Sequence, residues 1–344
     1  MGLATPLAAA FLATWLLTPS VKKIAILINA VDHPNGRKIH TTVMPRMGGL
    51  SIFIGFWASI FLSRNMTGEM WGFFAGSIFI ITIGIWDDIK GVSPRLKLLF
   101  QILAACCATG AGIQVSFVTN IFLGGVISVG WIGYPLTVLW IVGVTNALNL
   151  VDGLDGLAAG ISAIAAVTIG IIAWMQGLPE MGTLALILAA SIAAFLRYNF
   201  YPAKIFLGDT GSLFLGYTLS VLAIIGLTKT VTVISLFLPV VVLGLPILDT
   251  AFAIIRRCLS HKPIFSPDKG HIHHRLMAIG LSHRTTVFTI YGFSIVLGAS
   301  AVLMSILTTA QGMLVMGLVM GVVFFAANRV GVLSRKPIVS QADA

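Results

Sequence analysis

Asn146, Asn149, Asp152 and Asp155 recur at intervals of three in Asn146-Ala-Leu-Asn-Leu-Val-Asp-Gly-Leu-Asp-Gly156. If the stretch is helical, residues three apart share a face and four oxygen-bearing side chains converge. Such oxygens suit a hard divalent cation and the phosphate it carries. Gly153 and Gly156 let a ligand or a second backbone come close. The competing reading is an Asx-rich cap on the next helix. In Trp86-Asp87-Asp88-Ile89-Lys90 two carboxylates sit side by side at a helix end. They repel each other there and gain nothing from the helix dipole, so a cation is expected to offset them. Lys97 lies one turn into the following apolar segment, placed to hold a phosphate or neutralise an aspartate.

Phe206-Leu-Gly-Asp209-Thr-Gly-Ser212 opens a helix that Thr210 and Ser212 can cap. Asp209 is then an ionised cation ligand, and Phe206 either stacks on a planar base or sits in the core. His271-Ile-His273-His274-Arg275 suggests zinc, but it lacks the i, i+4 histidine pair and has no nearby Cys or Glu ligand. Among aspartates and basic groups, phosphate contact or proton handling is the better reading. The loop Asp32-His-Pro-Asn-Gly-Arg37-Lys38-Ile-His40, running on to Pro45-Arg46-Met-Gly-Gly49, offers its Arg and Lys, among them Arg37 and Lys38, to phosphates. Ordinary loop charge explains any single one of them equally well. Asp249, inside an apolar helix, is expected to pair with Arg256 or Arg257. Together these groups imply Mg²⁺-dependent phosphoryl transfer between a soluble, nucleotide-like substrate and a lipid.

The elements that carry these loops are membrane helices. Of 344 residues, 58% are hydrophobic and only 9% charged, which excludes a soluble chain. Apolar runs recur at about 3–28, 48–63, 70–86, 96–118, 131–149, 156–175, 182–199, 212–228, 232–255, 286–309 and 312–328. The expected fold is therefore an all-α polytopic membrane protein of about eleven spans, without the alternating segments of a β-barrel. No basic segment precedes the first run and Lys22-Lys23 follow it, so the N-terminus is expected outside and the C-terminus in the cytoplasm. On that topology only Arg64 and Lys229 of the 21 Lys and Arg lie outside, as the positive-inside bias requires. All nine Asp and all seven His also fall inside, which topology alone does not demand. An active site on the cytoplasmic loops collects them.

The chain reads as one integral domain, 1–344. Its catalytic loops lie at about 29–47, 87–97, 146–156, 197–212 and 256–285, followed by a solvated tail, 329–344. Residues 117–130 are expected to form a small external hairpin around Gly124-Gly125. Cys106, Cys107 and Cys258 have no ligand spacing. The net charge of +10 is spread over short loops, which favours membrane lipid and anionic ligands and argues against nucleic acid. A homodimer is neither required nor opposed by the sequence.

The four motifs, in this order on one membrane side, resemble the polyprenyl-phosphate N-acetylhexosamine-1-phosphate transferase family over about 32–285. The resemblance implies a multi-pass protein of the bacterial inner (cytoplasmic) membrane. It also implies transfer of a sugar 1-phosphate from a UDP-N-acetylhexosamine to undecaprenyl phosphate with release of UMP, using Mg²⁺ or Mn²⁺ in its place. Carried over by position, Asp209 is the leading metal ligand with Asn149, Asp152 and Asp88. Asp87 and Asp88 activate or position the lipid phosphate. Asp155, Asn199 and Phe206 match uridine positions. Lys97, His271, His273 and His274 lie near the phosphates, and Asn146 and Arg275 near the substrate. The muramoyl-pentapeptide branch differs in having contiguous histidines and Thr-Pro-Thr-Met-Gly-Gly where this chain has Met44-Pro-Arg-Met-Gly-Gly49. The departure favours UDP-GlcNAc and the first step of O-antigen, enterobacterial common antigen or wall teichoic acid synthesis. Two rivals fit less well. An intramembrane prenyltransferase would carry D-x-x-x-D repeats, and an ion-coupled transporter would carry mid-membrane charges on inverted repeats.

Overall fold

The computed structural model describes residues 3–33, 43–63, 66–119, 126–227, 237–260, 270–329 and 331. Arg37, Lys38, the Gly124-Gly125 tip and the tail beyond 331 lie outside the described residues. The helices are α1 (Ala4–Leu27), α2 (Gly49–Ser63), α3 (Gly68–Lys90), α4 (Pro94–Gly110), α5 (Gly133–Val151), α6 (Leu157–Met175), α7 (Pro179–Asn199), α8 (Gly208–Leu227), α9 (Phe237–Val242), α10 (Gly244–Leu259), α11 (Ile272–Ala278), α12 (His283–Ile306) and α13 (Thr309–Arg329). Two antiparallel two-stranded pairs accompany them, β1 (Val31–Asp32) with β2 (Met44–Pro45) and β3 (Phe117–Thr119) with β4 (Val126–Ser128). The second pair is the expected hairpin, in register Phe117↔Ser128.

Among the described residues, eight helices (α1, α3, α5, α6, α7, α8, α12 and α13) are long and apolar enough to cross a membrane. The protein is a polytopic, essentially all-α membrane protein. The other three of the eleven expected runs are shorter or interrupted. α2 has 15 residues and α4 has 17. The run at 232–255 is divided, with α9 ending at Val242 and α10 starting at Gly244. Pro246 has no N–H for the carbonyl four residues earlier, which favours a break there and suits the first turn of α10.

Local signals place the helix ends that matter for the site. Gly91, with φ 72°, ends α3 just after the paired aspartates, and its N–H bonds to the Asp87 carbonyl at 2.9 Å. Ser93 caps α4 ahead of Pro94, its Oγ accepting from Leu96 N at 3.4 Å. α8 is the hub of the fold. Every one of its residues except Asp209 is buried, and it packs against α2, α3, α5, α6 and α7. Small residues allow this. A Cβ on Gly49 would lie 1.9 Å from Gly211 Cα, and one on Gly84 would lie 2.5 Å from Thr210 Cα.

Candidate functional site

The last turns of α3 and α5 meet the first turns of α4 and α8 at one end of the bundle. Asp88 sets the arrangement. Its Oδ1 accepts from Asp209 N at 3.0 Å, and its Oδ2 from Thr210 N at 3.0 Å and Thr210 Oγ1 at 2.6 Å. Arg46 Nε lies 3.3 Å from Oδ1, and the Asp88 side chain is 0% exposed. Asp88 on α3 thus caps α8, supplying the acceptor its first N–H groups need. Gly208 is needed for the approach, because it adopts φ 73° and a Cβ there would lie 2.4 Å from Asp88 Oδ2. A carboxylate offers about four acceptor positions, and those of Asp88 are occupied. It orients the site and has little left for the metal expected of it.

Capping by Asp88 leaves the Asp209 side chain to the cluster. Lys97 bridges it, with Nζ on Asp209 Oδ2 and 2.8 Å from Asp87 Oδ2. Asp87 Oδ1 accepts from Val92 N at 2.7 Å, and Arg46 Nη2 stands 3.7 Å from Asp209 Oδ1.

The ladder of three-residue spacings reaches only as far as the helix. α5 ends at Val151, so Asn146, Asn149 and Asp152 keep one face while Asp155 falls on the following turn. Asn146 exchanges amide bonds with Gln101, at 2.6 and 3.3 Å. Asn149 Nδ2 donates to Ser212 Oγ at 2.8 Å, tying α5 to α8. Asp155 Oδ2 accepts from Ala203 N at 2.9 Å. The buried Asn199 amide spans Gly156 N (3.1 Å) and Ile205 O (3.0 Å). Asp155 and Asn199 therefore clip the turns together here, a role beside the uridine contact that the resemblance implied. Asp152 differs from its neighbours, since no described residue gives its carboxylate a hydrogen bond or ion pair. Burial and the nearby Asp209 carboxylate push it up to about 8.

The histidine motif joins from α11. Asp249, on α10, holds His271 Nδ1 at 2.8 Å and accepts from Ile272 N at 2.9 Å. Its partner is thus the first histidine of the motif, where Arg256 or Arg257 was expected. His273 lies against the Asp152 turn, since a Cβ on Gly153 would meet its Nε2 at 2.4 Å. That Nε2 is buried without a hydrogen bond. Burial and the adjacent His274 hold His273 down at about 3, so it is neutral at pH 7. His274 is exposed, its ring 4.2 Å from that of His273. Arg275 is buried and donates to the backbone carbonyls of Gly270 (3.1 Å) and Gly331. Its guanidinium ties α11 to the end of the last helix. Phe206 is partly buried, and its backbone is paired with residues 45 and 48.

Among the described residues, no three His, Cys, Asp or Glu side chains are arranged to hold a metal ion by themselves. The donor set nevertheless fits magnesium. Mg²⁺ takes one or two carboxylates and completes its shell with water and substrate phosphates. Four carboxylates (Asp87, Asp88, Asp152, Asp209) face two cations (Arg46, Lys97), and Asp152 is disfavoured in its ionised form. A divalent cation between Asp152 and Asp209 would remove that penalty. The sequence expectations did not single out Arg46 or Gln101. Arg46 was one of several loop Arg and Lys offered to phosphates, with nothing to rank it above the others, and Gln101 carried no signal.

Residues 70–227 match the family described as Glycosyl transferase family 4, a span that contains both the acidic motifs and Lys97. The chain is 51% identical to the Probable undecaprenyl-phosphate N-acetylglucosaminyl 1-phosphate transferase of Bacillus subtilis, over 84% of this chain and 81% of the relative. It is 34% identical to the Decaprenyl-phosphate N-acetylglucosaminephosphotransferase of Mycolicibacterium smegmatis, over 94% and 87%. To the Undecaprenyl-phosphate alpha-N-acetylglucosaminyl 1-phosphate transferase of Escherichia coli it is 28% identical, over 90% and 84%.

Proposed function

The chain belongs to Glycosyl transferase family 4, and on that premise we propose that it transfers GlcNAc-1-phosphate from UDP-GlcNAc to undecaprenyl phosphate. A phosphate oxygen of the lipid attacks the phosphorus that bears the sugar. The new P–O–P linkage forms as the bond to the bridging oxygen breaks, and UMP leaves. The observation that carries this reading is the unpartnered Asp152 carboxylate beside the Lys97-held Asp209. The pair supports a metal-bound diphosphate as ligand.

Asp209 and Asp152 are the residues that would hold Mg²⁺, with Asn149 as a further oxygen donor. When bound, the ion neutralises the diphosphate and polarises the phosphorus under attack. Lys97 and Arg46 offset the charge of two phosphorylated substrates meeting in one site. Asp87 fixes the Lys97 ammonium and faces the acceptor phosphate, while Asp88 keeps Asp209 at its station. His273, neutral and pressed on Gly153, presents a hydrogen-bonding nitrogen at the edge of the site. A one-step in-line attack suffices, because phosphoryl transfer is catalysed mainly by positioning and electrostatics. The site faces the cytoplasm of a bacterial inner-membrane protein whose eleven passes include α2, α4 and the broken α9–α10 pair.

The test is purified protein in detergent with labelled UDP-GlcNAc, undecaprenyl phosphate and Mg²⁺. UMP release that needs both substrates is expected, and its absence from folded protein refutes the assignment. Replacing the donor with UDP-MurNAc-pentapeptide should give no turnover.

A further inference from the structure

Arg46 is held with more care than loop charge requires. Its N–H bonds to Ala30 O at 2.9 Å. On either side, Pro45 O accepts from Phe206 N at 2.8 Å and Gly48 N donates to Phe206 O at 3.0 Å. Met47, the next residue, is buried and adopts φ 73°, a left-handed conformation that costs a non-glycine residue about 1 kcal/mol or more. Such strain persists only where the surroundings impose it, and it lies between the site and α2. The backbone thus fixes the point from which the Arg46 side chain departs.

The side chain is only half used. Nε sits 3.3 Å from the fully enclosed Asp88, but Nη2 is 3.7 Å from Asp209, beyond hydrogen-bond length. Nη1 donates to no described residue, and the side chain is 31% exposed. Lys97, the other cation, already bridges Asp87 and Asp209. The site therefore contains a planar fork with one edge anchored and the other short of a partner. Two phosphate oxygens match that fork.

We propose that Arg46 is a phosphate-binding residue whose Nε edge stays on Asp88 while its Nη edge takes a substrate phosphate. This rests on the transferase reading above. The phosphate comes either from the diphosphate of the nucleotide sugar or from the monophosphate of the lipid.

The first measurement uses the wild-type protein in detergent. Its UMP release is established, and phenylglyoxal modification of Arg46 is then followed by mass spectrometry with UMP, UDP-GlcNAc or undecaprenyl phosphate added. Protection by either nucleotide identifies the donor as the source, and protection by the lipid identifies the acceptor. Protection by none overturns the proposal. In parallel, Arg46→Gln should raise the KM of the protecting substrate about tenfold or more. Arg46→Lys, with the charge but not the fork, should recover part of the loss. A fall in kcat with both KM values unchanged would make Arg46 only a support for Asp88 and Asp209, and would also overturn the proposal. If Arg46→Gln does not fold, the protection experiment decides alone. If the wild-type protein releases no UMP yet Arg46 is protected, the transferase reading fails and the phosphate site stands.

Discussion

α8 and α13 have almost the same hydropathy, 1.7 and 2.0 over their most apolar windows, yet 100% of the first window is buried and 11% of the second. Hydropathy reports what a helix tolerates around it, whether lipid or protein, and does not distinguish the two. Glycine content does not separate them either, because Gly317 and Gly321 of α13 face open space while Gly211 and Gly216 of α8 touch neighbouring backbones. What α8 has in excess is side-chain oxygen. Thr210, Ser212, Tyr217, Thr218 and Ser220 are all buried in it. Without water, such groups need protein around them, and so mark the helix that belongs at the centre.

The sharpest way to break the comparison is to add the same bulk against α8, from its neighbour α2, and on α13. Gly49→Leu, driven into Gly211, should prevent recovery of folded protein by size exclusion in detergent, an overpacking cost of about 3 kcal/mol. Gly321→Leu should elute as the wild type does. Equal behaviour of the two would mean that the packing around α8 is not as tight as described.

The same contrast exists inside the site, between a carboxylate that is fully engaged and one that is not. Asp88→Ala should strip the cap from α8 and strand Arg46, lowering stability by about 3 kcal/mol in thermal unfolding. Asp152→Asn should leave the unfolding midpoint unchanged, because no partner is lost and an amide of the same shape replaces a carboxyl that burial already keeps largely protonated at pH 7. Its turnover should nevertheless fall about 100-fold or more. If the two variants exchange behaviours, the roles assigned here are reversed. Metal removal tests the same point, since EDTA should abolish UMP release without unfolding the protein, and added Mg²⁺ should restore it.

The smallest effect concerns His273. Its folded-state value of about 3 lies below the ordinary histidine value of 6.5, so the folded chain binds fewer protons than the unfolded one between them. Stability from this group is complete above pH 6.5 and is lost as pH falls towards 3. His273→Asn should flatten the acid-side decline in unfolding midpoint by about 2 °C per pH unit. An unchanged slope would show that His273 is not enclosed as described.

Much of the site could be read from residue order because its chemistry is concentrated in short stretches. The Asp87-Asp88 pair, the Asn146–Asp152 ladder and the Gly208-Asp209 helix start each carry their signal within a few residues. Asp155 and Asn199 are of types that suit a ligand as well as a turn, and the turn role became visible only with the positions of Ala203, Gly156 and Ile205. Asp249 misled through proximity in sequence. Arg256 and Arg257 are about two helical turns away on its own helix, but His271 comes to it from across the loop.

From residue order alone follow the membrane character, most helix boundaries, the acidic and basic inventory and its gathering at one end of the bundle. These depend on local composition and short-range periodicity, which survive without knowledge of neighbours. Which aspartate is committed and which is available came only from the folded chain. Asp88 is filled by donors 121 and 122 positions away, while Asp152 meets none among the described residues. Hydrogen-bond capacity is a property of a side chain, but its saturation depends on what the fold brings within about 3 Å.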